Sequence, residues 1–183
     1  MNSPRVRRIN GFPLPLVILC TVLVVGLAFT SVAAAAPPTR QPNELPTEPF
    51  ILTDTLGNNP CSFPVRLEIT TNREVVTTFT RQSGVISTHT TGALKVELTN
   101  IEIEKSIQRN ISGPILVTAN PDGSLTQISV GLSLWVFDPG VAPELPRLAL
   151  TSGRAESILG PGTAFRFISL RGTYEDLCAA LAP

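Results

Sequence analysis

The feature that most constrains the fold of this chain is a succession of short segments rich in Val, Ile, Thr and Phe, from about Phe63 onward. Gly, Pro, Asn or Asp separates these segments every 6 to 12 residues, a pattern typical of all-β proteins. The pattern predicts eight or nine strands, over residues 64–70, 74–81, 85–90, 93–100, 105–111, 115–119, 124–137, 147–159 (with a break at Gly153) and 164–171.

The turns between these segments indicate antiparallel neighbours. The tetrapeptide NPDG at residues 120–123 has Pro in the second turn position and Gly in the fourth, as a type I turn favours. It therefore predicts a tight hairpin, and Thr91 with Gly92 predicts a bulge or a corner. Most connections are short, which favours antiparallel pairing because parallel strands need long crossover connections.

Several segments alternate between apolar and polar residues, as half-buried strands do. In the longest segment, one face carries only apolar residues, and we predict that this face is core: Ile128, Val130, Leu132, Leu134 and Val136. Ser129 and Ser133 lie on the opposite face. Leu94, Val96 and Leu98 alternate in the same way with polar neighbours, as do Val65, Leu67 and Ile69.

The end of the chain predicts a short helix. Residues 173–176 resemble a capping box, and Leu177 and Leu181 would share one face of the helix that follows. Eight or nine antiparallel strands with no other helix must protect their edges, and closure into a barrel removes edges altogether. We therefore expect an all-β fold made of a single antiparallel β-barrel, with a β-sandwich as the alternative.

The N-terminal segment has the layout of a secretory signal. Basic residues at positions 5, 7 and 8 precede an apolar stretch over 14–29, and small residues occupy 31–36. We predict a signal peptide over residues 1–35, a Pro-rich lead-in over 36–60 that forms a tether or lies along the surface, and a β domain over 61–183. The alternative is a retained anchor in the cytoplasmic membrane, because residues 14–36 are about long enough to cross a bilayer.

The cysteines support an extracellular location. Cys20 lies within the predicted signal, which leaves Cys61 and Cys178 as an even pair. Disulfides form and persist in exported proteins, so we predict that these two residues are bonded. Two free, buried thiols are the alternative.

Composition excludes several classes of function. Hydrophobic residues make up 43% of the chain and charged residues 15%, enough apolar material for a folded core. The formal net charge is zero and becomes negative once the basic signal is removed, so we expect no nucleic-acid partner. With one histidine, His89, and a paired set of cysteines, we expect no metal site, no cofactor and no Cys nucleophile.

A few side chains could nevertheless line a pocket. Trp135 and Phe137 interrupt the polar face of the longest strand, and Phe165 and Phe167 occur on a later one. These aromatics either surround a pocket mouth or belong to the core. Arg109 and Arg166 would contact an anionic ligand in such a pocket, or pair with Glu across strands. No catalytic constellation is present, and Glu102 with Glu104 is expected to form a charged outer face.

Five short motifs resemble a group of uncharacterised secreted proteins from high-GC Gram-positive bacteria. They are CSFPV at residues 61–65, GALKVELTN at 92–100, NISGP at 110–114, LTSGR at 150–154, and Cys178. The resemblance covers residues 49–181 and implies a bacterial, secreted, single-domain protein. It implies no activity.

Three functional hypotheses follow from these observations. The first is an exported, non-enzymatic β-barrel that binds a small apolar or amphiphilic ligand or a component of the cell envelope. The second is a surface module for protein–protein interaction, which would expose an apolar patch. The third is an enzyme whose Glu and Arg side chains converge inside a barrel.

Overall fold

The computed structural model describes residues 36–81, 83–161 and 165–183. The predicted signal peptide, and all of the alternative anchor except its last residue, lie outside the described residues. Within the described ranges, no helix has the length and apolar character needed to cross a membrane.

The described residues form eleven strands and one short helix. In chain order these are β1 (Thr39–Pro42), β2 (Phe50–Ile51), β3 (Val65–Asn72), β4 (Val75–Thr80), β5 (Ile86–Thr91), β6 (Leu94–Asn100), β7 (Lys105–Asn110), β8 (Ile115–Ala119), β9 (Leu125–Val136), β10 (Leu148–Leu159), β11 (Phe165–Asp176) and α1 (Leu177–Leu181). All strand pairs are antiparallel. A seven-stranded sheet has the order β1-β4-β5-β8-β9-β10-β11, and a four-stranded sheet the order β2-β3-β6-β7.

The predicted all-β, antiparallel character is therefore confirmed, and the predicted strands correspond to β3–β11. Their most C-terminal boundary was wrong, because β11 continues to Asp176. Tyr174 and Glu175 pair with Thr151 and Leu150 of β10, so the sheet ladder outweighs the local capping pattern. Asp176 itself is the N-cap and accepts a hydrogen bond from the Ala179 amide (3.1 Å).

The Pro-rich lead-in contributes two strands that its sequence did not predict. Strand β1 is exposed along its whole length and pairs with β4 at the edge of the seven-stranded sheet. Pro42 is tolerated there because an edge strand can lack a ladder donor. Strand β2 similarly occupies one edge of the four-stranded sheet.

The lead-in is also tied to the connection between β9 and β10. The Asp54 carboxylate accepts hydrogen bonds from the Leu56 and Asn58 amides (2.9 and 2.8 Å) and from the Arg147 guanidinium (2.6 Å). Burial raises the pKa of Asp54, but these hydrogen bonds and the Arg147 charge outweigh burial, so the pKa lies below its usual value. The ionised carboxylate thus joins two distant parts of the chain.

The main core lies between the two sheets. It combines Val65, Leu67, Val96 and Leu98 of the four-stranded sheet with Leu148 and Leu150 of the seven-stranded sheet, and with Leu177 and Leu181 of α1. Neither sheet closes on itself in the described part of the chain. A closed barrel is therefore not confirmed, and the alternative β-sandwich fits the arrangement. The apolar faces predicted for β3 and β6 are confirmed.

A column of glycines crosses the three long strands. Gly131 of β9 pairs with Gly153 of β10, which pairs with Gly172 of β11. Gly153 has φ +127°, and a Cβ atom there would overlap the Arg171 carbonyl oxygen. A Cβ atom at Gly172 would likewise overlap the Ser152 carbonyl oxygen. The strands approach each other at this column more closely than side chains would permit.

The seven-stranded sheet folds over sharply near this column. Trp135 is level with Ala149 of β10, whereas Phe167 is level with Ser157, eight residues further along the same strand. In a flat sheet eight residues span about 26 Å, yet the Trp135 and Phe167 ring centroids are 5.5 Å apart. Strong bending of the long strands therefore creates a second, aromatic core.

Because of this second core, the predicted core face of β9 was only partly right. Leu132, Leu134 and Val136 do pack against the inter-sheet core, but Val130 is 46% exposed. The predicted polar face is the more deeply buried one at Ser129 (1% exposed) and Ser133 (6% exposed). Alternation predicts one buried face, whereas this strand has buried or packed residues on both of its faces.

The predicted disulfide agrees with the structure. The sulfur atoms of Cys61 and Cys178 are at bonding distance, and their Cα atoms are 5.4 Å apart. The bond spans 117 residues of sequence and joins the segment before β3 to α1. It holds the helix against the inter-sheet core, to which both cysteines are adjacent.

Candidate ligand-binding cavity

Four connections carry the chain from one sheet to the other, and the three that follow β3, β5 and β7 meet at one corner of the fold. They run from β3 to β4, from β5 to β6 and from β7 to β8. The Arg73 amide donates to the Ala93 carbonyl (2.8 Å), and the Ile111 amide to the Leu94 carbonyl (2.9 Å). Gly92, the corner predicted from sequence, has φ +141° and no room for a Cβ atom beside the Arg73 backbone.

A cavity of about 290 Å³ opens at this corner. Its apolar lining comes from both sheets and their connections: Leu45, Leu94, Ile111, Ile115, Leu134 and Trp135. Its polar lining includes Glu74, Gln127, Ser129 and Ser133. A mainly apolar wall with a few polar groups is the usual composition of a small-molecule site, and this volume is at the small end of such sites.

Glu74 is the only acidic residue in the described lining of this cavity, and it is 6% exposed. Its carboxylate Oε2 accepts a hydrogen bond from the Asn43 side-chain amide (2.8 Å). The backbone is held on both sides, because the Glu74 amide donates to Asn72 Oδ1 (3.1 Å) and the Asn43 amide donates to the Glu74 carbonyl (3.0 Å). Among residues 36–81, 83–161 and 165–183, no Arg, Lys or His lies within 4.0 Å of this carboxylate.

The two serines of β9 differ in their hydrogen bonding. Ser129 Oγ accepts a hydrogen bond from the Gln127 side chain (3.3 Å). Ser133 Oγ is fully buried and has no hydrogen-bond partner in the described structure. A buried hydroxyl without a partner is rare, because its desolvation is uncompensated.

Trp135 forms the boundary between the cavity and the aromatic core. Its Nε1 donates to Thr151 Oγ1 (3.0 Å), and its ring is stacked with Phe137 at a centroid distance of 5.8 Å. Phe167 contacts it edge-on and Phe165 at a tilt. The indole orientation is therefore set by the protein and does not depend on a ligand.

Comparisons with protein-family models, curated proteins and solved structures find no match for this chain.

The structure brings together four of the six residues predicted to line a pocket. Trp135 lines the cavity, and Phe137, Phe165 and Phe167 join it in the aromatic core. Arg166 is exposed on β11. Arg109 and Arg166 are not among the described residues that line this cavity, and a pocket formed by all six residues stays a prediction.

Arg109 forms an ion pair on the partly exposed side of β7. Its guanidinium binds Glu175 through Nε to Oε2 (2.9 Å) and through a second nitrogen to Oε1 (2.5 Å). These hydrogen bonds, together with the opposite charges, raise the pKa of Arg109 and lower the pKa of Glu175. Pairing with Glu, one of the two readings of Arg109, matches this contact, but the pair is not cross-strand, because β7 and β11 belong to different sheets.

Glu102 and Glu104, expected on a charged strand face, lie in the turn between β6 and β7, where both are exposed. The acid that does enter a cavity, Glu74, was assigned only as the start of a strand. Within the described residues, no group of three or more His, Cys, Asp or Glu side chains could hold a metal ion. The sequence feature that could have indicated the cavity is the pair of serines, Ser129 and Ser133, on either side of Gly131. The alternation of apolar and polar residues had placed both serines on the solvent-facing side of the strand.

Proposed function

We propose that this protein is an exported, non-enzymatic binding protein that takes a small amphiphilic ligand, or the corresponding part of a cell-envelope component, in the corner cavity. The observation that carries the proposal is a mainly apolar cavity whose wall includes Ser133, a residue whose buried hydroxyl has no hydrogen-bond partner in the described structure. A ligand that brings one polar group to this wall would remove the desolvation cost and bury its apolar part.

The proposed architecture is a sandwich of two sheets, in which the corner between the sheets provides the ligand's entry. Two observations support this arrangement: the two sheets share one core, and in the described residues the first and last strands of each sheet do not pair with each other. The disulfide supports export, since such bonds persist in oxidising compartments. The order of basic, apolar and small residues at the N-terminus also supports export.

Trp135 allows a direct test, because it is the only tryptophan of the chain and lines the cavity. Phenethyl alcohol, a compact amphiphile, is titrated into the oxidised protein while tryptophan fluorescence and heteronuclear NMR spectra are recorded. We expect a saturable change in fluorescence, with chemical-shift changes concentrated at the lining residues. Native mass spectrometry of freshly purified protein would reveal a retained natural ligand.

A pair of variants makes the test specific to the cavity. Ser133→Leu places an apolar side chain where the buried hydroxyl lies, whereas Ser152→Leu adds the same side chain at an exposed position on β10. We expect Ser133→Leu to abolish the fluorescence change and Ser152→Leu to preserve it, provided that circular dichroism shows both to be folded. Equal binding by both variants, or shift changes away from the corner, would overturn the proposal.

The other two hypotheses have less support at this site. A Glu–Arg enzyme needs an Arg in the cavity, and the described lining residues include none. An interaction module needs a contiguous apolar patch. The exposed Phe79 and Ile86 occupy neighbouring strands, but Ile86 pairs with Thr80, so the two side chains point to opposite faces of the sheet. The exposed Leu125 and Leu159 do pair directly across β9 and β10, but they are two residues only.

A further inference from the structure

We infer that the cavity is selective for a ligand that carries a compact ammonium group on an apolar body, and that Glu74 is the residue that recognises the charge. This inference rests on the proposed function, because it assumes that a ligand enters the corner cavity. It adds the sign of the ligand's charge and the position of its polar group.

The burial of Glu74 favours a cationic ligand. A carboxylate that is taken out of water is costly unless an opposite charge or several hydrogen bonds compensate it. Glu74 is 6% exposed, and the compensation found in the described structure is one neutral amide, that of Asn43. A cationic ligand would supply the missing opposite charge, whereas an anionic ligand would be repelled.

A residue on β9 independently favours a ligand that donates hydrogen bonds. Ser133 lies on β9, far from Glu74 in sequence; it lines the same cavity, and its buried hydroxyl has no hydrogen-bond partner in the described structure. An ammonium group carries three hydrogen-bond donors and no acceptor. In this proposal, one N–H of the ammonium group donates to the Glu74 carboxylate and another is directed towards Ser133.

The remaining lining suits the rest of such a ligand. Leu94, Ile111, Ile115 and Leu134 provide an apolar surface, and Trp135 provides an aromatic ring. Trp is the strongest aromatic partner for cations. The volume of about 290 Å³ limits the ligand to a small molecule or to one headgroup of a larger one.

The test uses three probes with the same phenyl body and different charge: phenethylamine, phenethyl alcohol and hydrocinnamate. At neutral pH the amine is protonated, since alkyl amines resemble the Lys side chain. Affinities are measured from Trp135 fluorescence and by calorimetry, with the oxidised wild-type protein and with Glu74→Gln. Glu68→Gln is the matched control, because Glu68 is exposed on β3 and does not line the cavity.

We expect phenethylamine to bind at least about tenfold more tightly than phenethyl alcohol, as charge-assisted hydrogen bonds are about twice as strong as neutral ones. Hydrocinnamate should be the weakest of the three. Glu74→Gln should remove the preference for the amine while retaining the affinity for the alcohol. Glu68→Gln should behave as wild type.

The possible failures can be told apart. Equal binding of the three probes would overturn the charge selectivity and leave the binding function standing. A preference for the amine that survives in Glu74→Gln would overturn the role of Glu74. No binding of any probe, with unchanged spectra, would overturn both proposals and identify the cavity as a hydrated void.

Discussion

At the scale of single residues, Ser129 and Ser133 can be compared directly. Both are buried serines on β9, but in the described structure only the Ser129 hydroxyl has a hydrogen-bond partner. In the ligand-free protein, we expect Ser133→Ala to raise the free energy of unfolding by about 1 kcal/mol, because it removes an uncompensated hydroxyl. Ser129→Ala should lower it by about 1 kcal/mol. Chemical denaturation curves measure both changes.

An equal loss of stability in the two variants would contradict this expectation. It would mean that Ser133 has a compensating partner, such as an ordered water, in the cavity. The pair thus reports on cavity contents without any ligand.

The Arg109–Glu175 pair makes stability depend on pH. Hydrogen bonds from Arg109 hold the pKa of Glu175 below its usual value, so the folded state binds a proton less readily than the unfolded state. The stabilisation is full above the ordinary Glu pKa of about 4.3 and is lost as the pH falls through the lowered value. We expect Glu175→Gln to cost less than about 1 kcal/mol at neutral pH, because the pair is partly solvated.

The measurement compares free energies of unfolding of wild type and Glu175→Gln from neutral to acidic pH, where their difference should shrink. Glu156→Gln is the control, because its carboxylate lies 3.6 Å from Arg154 in a more exposed pair. That variant should differ little from wild type at any pH. A difference for Glu175→Gln that stays constant with pH would contradict the assignment.

At the scale of elements, the glycine column determines how β9, β10 and β11 bend. Gly153→Ala introduces a Cβ atom that overlaps the Arg171 carbonyl, at a φ of +127° that L residues rarely adopt. We expect a loss of more than about 3 kcal/mol in the free energy of unfolding. Gly123→Ala, in the β8–β9 turn, also has a positive φ (+81°), but its Cβ would meet nothing within 4 Å.

The turn variant should therefore lose only about 1 to 2 kcal/mol, the cost of the left-handed backbone. Urea denaturation monitored by Trp135 fluorescence would distinguish the two. Similar losses in both variants would show that conformational strain, and not the close approach of strands, explains the glycine at position 153.

Most elements were predictable because their signals are local. The NPDG turn does connect β8 and β9, with the Gly123 amide donating to the Asn120 carbonyl (3.0 Å). Turn residues encode backbone angles directly, and alternation encodes the pleat of one strand. The strand β1 was missed because its Pro-rich sequence has no strand pattern, and pairing with β4 alone makes it extended.

At the scale of the whole molecule, the Cys61–Cys178 bond connects the beginning of the β domain with its end. A loop of 117 residues corresponds to about 4 to 5 kcal/mol in the chain-entropy description of disulfides. We expect reduction to lower the free energy of unfolding by about 4 kcal/mol and to expose α1. Guanidinium denaturation of oxidised and reduced protein measures the change.

The double variant Cys61→Ser with Cys178→Ser provides the control for this measurement. It should match the reduced protein and should not respond to reductant. A reduced protein within about 1 kcal/mol of the oxidised one would show that packing of Leu177 and Leu181, and not the covalent bond, holds the helix in place.

Local signals in the sequence were enough to predict the antiparallel β class, most strand positions, the pairing of Cys61 with Cys178 and the burial of Leu177 and Leu181. These properties depend on residue spacing and on the positions of the cysteines in the chain. Only the tertiary structure decided that Ser129 and Ser133 would be buried and that Glu74 would enter a cavity. Those outcomes require the long strands to fold over at the glycine column and three connections to meet at one corner. They depend on the register of strands that are distant in sequence, which no local pattern encodes.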